Sequence, residues 1–124
     1  MNLTKAEEQL MELIWKEGKI FLKGIIDNYP DPKPATTTIA TLLKRMQDKG
    51  FVGYTLYGNS REYFPLVKKQ DYFSKHVKGI IKNYFDNSAL DFASFFTSTG
   101  NFSKSELEEL RKIIDKEIQK KKKW

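Results

Sequence analysis

Thr36, Thr37, Thr38 and Thr41 stand within six positions of one another, with Lys44 and Arg45 close behind. Short hydroxyl side chains can approach base edges in a groove, while cations further along meet the phosphates that border it. Threonines also open helices well, which accounts for one or two of the four, with Thr38 expected to be half-buried or capping. Arg45 has an alternative use in a structural salt bridge, which leaves Lys44 as the firmer contact. A second cluster, Gly58-Asn59-Ser60-Arg61, would place Arg61 and the turn amides of Asn59 and Ser60 against a nucleic-acid backbone or minor groove. It also reads as a hairpin with an ordinary charged turn. Lys33, held between Pro32 and Pro34, is a third place for a phosphate contact. Tyr63 alternates with Arg61, but an aromatic ring in a small domain usually belongs to the core.

Other chemistries are poorly supplied. There is no cysteine, which removes disulfides, thiolate metal sites and thiol nucleophiles together. His76 is the only histidine, and the chain has no HExxH, P-loop or glycine-rich nucleotide fingerprint. Glu106, Glu108 and Glu109 cluster where a helix begins, so the macrodipole explains them better than acid/base work does. Lys120 to Lys123 complement the same helix at its other end. We expect no catalysis, no metal and no cofactor.

The 124 residues carry 22 Lys and Arg against 16 Asp and Glu, a formal charge of +6. That charge is unevenly placed. Residues 1–32 carry −2, residues 33–61 carry +4 with Asp48 as their one acid, and the +4 of residues 62–124 equals the terminal lysine run. The threonine and turn clusters therefore lie in the one internal basic block, although a charged helix face can be simply solvated. The length suits one domain, or two very small ones. Apolar runs stop at three residues and acids follow the start closely, so neither a membrane span nor a signal peptide is expected. The expectation is a soluble, cytoplasmic protein.

The elements that must carry these clusters can be read from periodicity. Thr4 and Glu7 form a capping box for a first helix over about 4–17, with Ala6, Leu10, Leu13 and Ile14 facing a core and Gly18 ending it. Ile20-Phe21 is a short extended piece. Leu22, Ile25, Ile26 and Tyr29 then mark a short helix that Pro30, Pro32 and Pro34 close. A third helix runs from Ala35 to Lys49, with Ile39, Leu42, Leu43 and Met46 inward and Thr37, Thr41, Lys44 and Asp48 opposite. Phe51 to Tyr57 and Arg61 to Val67 are extended runs around the Gly58-Asn59-Ser60 turn. Helix, short strand, helix, helix, hairpin is the order of a winged helix-turn-helix.

After Lys68-Lys69-Gln70, the residues Phe73, Val77, Ile80, Ile81 and Tyr84 mark a fourth helix. Leu90, Phe92, Ala93, Phe95 and Phe96 would make a fifth that is apolar nearly all round. Ser103 and Glu106 form another capping box, with Phe102 and Leu107 placed as a hydrophobic staple. Leu107, Leu110, Ile114 and Ile118 complete the last helix. Three such helices make a thin core for one chain. They would either fold back on the winged unit or be covered by a second copy, and two-fold pairing suits a palindromic DNA site. The expected layout is thus mainly α with a small β-hairpin: a DNA-binding winged unit over 1–67 and a three-helix dimerisation unit over 68–124.

Particular residues also match a known family. Leu3-Thr4-x-Ala6-Glu7, Met11 with Ile14-Trp15, Thr38-Ile39-x-Thr41-Leu42-Leu43-x-Arg45-Met46, Lys49-Gly50, Arg61-x-Tyr63-x-Pro65-x-Val67 and Ser105 to Arg111 together resemble the BlaI/MecI penicillinase repressors and their relative CopY. The resemblance spans nearly the whole chain. It implies a homodimeric repressor on a double-stranded, palindromic DNA operator; the alternative is a winged-helix protein-interaction module that does not bind DNA. In the antibiotic-response branch, it further implies a membrane-bound metalloprotease sensor encoded nearby and cleavage at an Asn-Phe bond. Counting back from Glu106 to Leu110 puts Phe95-Phe96 at that place, while Asn101-Phe102 lies later, as the staple. The copper-responsive branch uses C-terminal cysteines, and this chain has none.

Overall fold

A computed structural model describes residues 3–122, so Lys123 of the lysine run lies outside the described residues. The chain forms two compact units that divide after Ser74. The first contains α1 (Lys5–Glu17), β1 (Ile20–Phe21), α2 (Leu22–Asp27), α3 (Thr36–Asp48), β2 (Val52–Tyr57), β3 (Ser60–Pro65) and the start of α4 (Lys69–Tyr84). The second contains the rest of α4 with α5 (Ala89–Thr99) and α6 (Lys104–Lys121). Among the described residues, no helix is long and apolar enough to cross a membrane.

Local signals set the helix ends. Thr4 Oγ1 accepts from the Glu7 amide at 3.2 Å while Glu7 Oε1 accepts from the Thr4 amide at 2.8 Å, which satisfies two amides that the first turn leaves without intrahelical partners. Gly18 closes α1 at φ 79°. At the end of α3 the Phe51 amide donates to Met46 O at 2.9 Å and the Gly50 amide to Gln47 O at 3.0 Å. This is a Schellman closure, and it requires the positive φ of 82° that Gly50 supplies.

The core joins α1, α2, α3 and the sheet. Leu10, Met11, Ile14, Ile25, Ile39, Leu43 and Met46 are almost fully enclosed, with Phe51, Val52, Tyr63 and Tyr72 buried around them. Each large aliphatic side chain of this kind contributes about 1.5–3 kcal/mol of burial. The buried face of α1 differs in part from the expected one: Ala6 is exposed, Leu13 is half-buried against the core beside Leu10 and Ile14, and Glu7 and Met11 also point inward. Glu7 can occupy the core because Lys49 reaches it from the end of α3 at 2.6 Å. Likewise α2 stops at Asp27, two residues short of the Tyr29 limit, and Tyr29 packs against the core from outside the helix.

The hairpin gains a third strand. β3 lies between β1 and β2 in an antiparallel sheet, with Ile20 opposite Tyr63, Phe21 opposite Glu62, and Tyr57 opposite Ser60. Gly58 at φ 61° precedes Asn59, the glycine-first sign pattern of a II′ hairpin.

The divide after Ser74 lies later than the Lys68 boundary read from the sequence. Tyr72 packs edge-on against Phe51 and tilted against Trp15, Phe73 lies 6.0 Å from Trp15, and Tyr72 Oη donates to Glu8 at 2.9 Å. Lys69 adds a 3.0 Å ion pair with Glu12. The opening of α4 therefore belongs to the winged unit. In the second unit Phe85 meets Phe92 and Phe95, Phe92 stacks on Phe96, and Phe96 contacts Phe102. Ser88 caps α5, and Ser103 with Glu106 forms the capping box of α6.

Candidate nucleic-acid interface

α3 is divided lengthwise. Ile39, Leu43 and Met46 anchor it in the core, and Thr36, Thr37, Thr38, Thr41, Lys44 and Arg45 are all exposed. No threonine caps this helix: Ala35 is the N-cap and makes no side-chain cap bond. Thr38 is neither capping nor half-buried, because the ladder from Ala35 O to the Thr38 and Ile39 amides begins the helix without it. The positive end of the helix dipole therefore lies beside three exposed hydroxyls, an arrangement that favours an anion. Thr41 Oγ1 donates to Thr37 O at 2.9 Å, so that hydroxyl keeps only acceptor capacity for a ligand.

The cations are not equivalent. Lys44 Nζ lies 3.0 Å from Asp48 in an exposed i,i+4 pair, the kind worth a few tenths of a kcal/mol and open to competition from phosphate. Arg45 is exposed in the last turn and has no carboxylate partner among the described residues. The salt bridge weighed for it is absent there, so Arg45 is at least as available as Lys44. Lys33 donates to Asp27 O at 3.1 Å and Tyr29 O at 2.8 Å, where its charge meets the carbonyl end of α2. Lys49 is turned inward to Glu7.

That inward pair shapes the electrostatics. Burial alone would raise the Glu7 carboxyl, but the Lys49 ammonium, helped by the amide and hydroxyl of Thr4, holds it below the ordinary carboxylate value. Glu7 is thus an anion with no exposure, tying the start of α1 to the end of the exposed helix.

On the hairpin, Asn59, Ser60 and Arg61 are exposed at the tip. Tyr63 is buried, as an aromatic of a small domain should be. Sequence reading missed Tyr54: the Arg61 guanidinium lies over its ring, with Cζ 4.3 Å from the centroid. Only the strand register, which sets Tyr54 opposite Tyr63, brings Tyr54 beside Arg61. Among the described residues, no group of three or more His, Asp or Glu could hold a metal ion.

A core of three helices, an exposed polar face on the third and a flanking hairpin define the winged helix-turn-helix class. The solved DNA-binding domain of the repressor BlaI is similar, at a TM-score of 0.51 and 28% identity over 57% of this chain and 88% of that one. Residues 3–116 match the penicillinase repressor family, and the chain belongs to it. The methicillin resistance regulatory protein MecI of Staphylococcus aureus (strain N315) is 28% identical over 93% of this chain and 94% of its own. The penicillinase repressor of Bacillus licheniformis is 23% identical over 98% and 95%. This is a family of repressors and not of enzymes.

Proposed function

We propose that the chain is a sequence-specific DNA-binding repressor that acts as a homodimer on a palindromic operator. The observation that carries this reading is the exposed Thr36 to Arg45 face of α3, set on a helix whose other side is fixed in the core. Thr36, Thr37, Thr38 and Thr41 approach base edges, while Lys44 and Arg45 meet the bordering phosphates. Asn59, Ser60 and Arg61 form the wing contact, and Lys33, in the loop before α3, adds a phosphate contact only by leaving the carbonyls of Asp27 and Tyr29. Two-fold pairing is supported by the second unit: α5 and α6 bury no residue fully, and Leu90, Phe95, Phe96, Leu107, Ile114 and Ile118 are exposed, with Phe92 and Leu110 half-buried. On α4, Val77, Ile80 and Tyr84 are also exposed and Ile81 is half-buried, while Phe73 packs against Trp15 of the winged unit.

A membrane-bound metalloprotease sensor is the regulatory partner suggested by the family. Phe95-Phe96 lies inside α5 and Asn101-Phe102 lies in the link before α6, so any cleavage needs a bond other than the family's Asn-Phe in α5.

The test is a mobility shift on the DNA upstream of the chain's own gene. Lys44, Arg45 and Arg61 from each of two protomers give about six phosphate contacts, and so a salt slope near −5 and about a thousandfold loss of affinity from ~50 to ~200 mM salt. A monomer would lose only about fortyfold. Replacing Arg45 or Arg61 should lower the slope, and Thr37→Val should relax sequence choice without changing it. No shift at low salt defeats the repressor reading and favours a winged protein-interaction module.

A further inference from the structure

We propose that Tyr54 is a positioning residue of the wing, holding the Arg61 guanidinium flat and ready for a phosphate; the inference rests on the DNA-binding reading above. Tyr63 is buried in the core, and Tyr54, its direct cross-strand partner, packs on it at 5.9 Å between centroids. Arg61 is the diagonal neighbour, two residues from Tyr63 on β3, and its Cζ sits 4.3 Å over the Tyr54 ring. Diagonal pairs of this kind are within reach of long and aromatic side chains. The three form a column that rises from the core to the wing.

The column leaves the functional edge of Arg61 unused. Glu62 follows Arg61, but successive strand residues point to opposite faces, and no carboxylate pairs with Arg61 among the described residues. Its cross-strand partner is Leu56, which is exposed and apolar. Stacking engages the face of the guanidinium and spares the N–H donors on its rim, which match phosphate oxygens. An arginine already fixed in one plane loses less side-chain freedom on binding than a free one. Tyr54 is 36% exposed, which lets the ring carry Arg61 at the surface, and its contact with the buried Tyr63 ring gives it an anchor on the core.

The experiment is a double-mutant cycle on the full chain, read as affinity for the upstream DNA at fixed salt, with side-chain NMR of the free protein. Tyr54→Phe keeps the ring and should bind within about twofold of wild type. Tyr54→Leu should weaken binding about two- to fivefold, the range of an exposed cation–π contact, and should do nothing further in an Arg61→Ala background. Arg61→Lys, which keeps the charge and loses the plane, should resemble Tyr54→Leu at an unchanged salt slope. In the free protein the Arg61 δ-methylene protons should be shifted upfield by the ring and return to ordinary positions in Tyr54→Leu. Equal losses with and without Arg61, failure of Tyr54→Phe to preserve affinity, or absence of the upfield shift each overturn the proposal by itself. If wild type shows the upfield shift but binds no DNA, the function reading fails, and the phosphate role of Tyr54 fails with it.

Discussion

Lys49→Met should destabilise the winged unit mainly by leaving Glu7 buried without its cation. Glu7 has no exposed surface, its Oε1 lies 2.6 Å from Lys49 Nζ, and its Oε2 has no hydrogen-bond partner among the described residues. Removing one member of a buried pair costs about 3–5 kcal/mol. The Lys49 side chain keeps about a quarter of its surface in solvent, so the lower figure of about 3 kcal/mol applies. For a unit of this size that is about 12–24 °C in Tm. Glu7→Gln should cost less, because the charge left behind can reach water along a flexible stem. The pH dependence follows from the lowered Glu7 carboxyl. A carboxyl held lower in the folded state stabilises fully above its ordinary value, and that stabilisation disappears as pH falls through the folded value. Urea unfolding of wild type, Lys49→Met, Glu7→Gln and the double variant, followed by Trp15 fluorescence in a Trp124→Phe background, isolates the pair. The coupling energy should be about 2–3 kcal/mol at pH 7 and decay toward zero as pH falls through the lowered Glu7 value. A coupling that is flat across that range refutes the assignment, since it would mean that the pair contributes without its charge.

Two further outcomes concern the second unit. Wild type should sediment as a dimer at micromolar concentration and Leu90→Glu as a monomer, because Leu90 is 83% exposed in one chain and a new charge there harms only a buried interface; a monomeric wild type would remove the pairing. In Gly100→Ala the new Cβ would come within 2.8 Å of Phe96 O and nearer still to the Phe102 ring, costing about 1–3 kcal/mol by overpacking. Calorimetry should show that loss, and an unchanged Tm would contradict the packing of the α5–α6 link.

The parts of the fold set by neighbours in the chain were legible in its residues. The Thr4/Glu7 and Ser103/Glu106 boxes each join residues three positions apart, and both form. The division of α3 into an apolar and a polar face follows from its 3.6-residue period, and the structure has it. What escaped depends on distant partners. Glu7 turns inward, and the buried face of α1 with it, because of a lysine 42 positions away. Tyr72 and Phe73 join the winged unit through Trp15, which no local pattern announces. Tyr54 gains its place beside Arg61 only through strand register.

The same long-range contacts change how the charge of the candidate interface should be counted. Residues 33–61 hold five cations, and composition treats them alike. In the fold, Lys33 covers the carbonyls that end α2, Lys49 neutralises Glu7, and Lys44 leans on Asp48. Two of the five are therefore structural, and a third must give up a weak surface pair to serve DNA. Arg45 and Arg61, whose guanidinium groups have no carboxylate partner among the described residues, remain ready. A dimer reading phosphates through these two alone would have a salt slope near −4, against about −5 if Lys44 also transfers. Lys44→Gln then separates the cases. The slope falls by about two charges per dimer if the lysine leaves Asp48, and stays where it is if the pair survives on DNA.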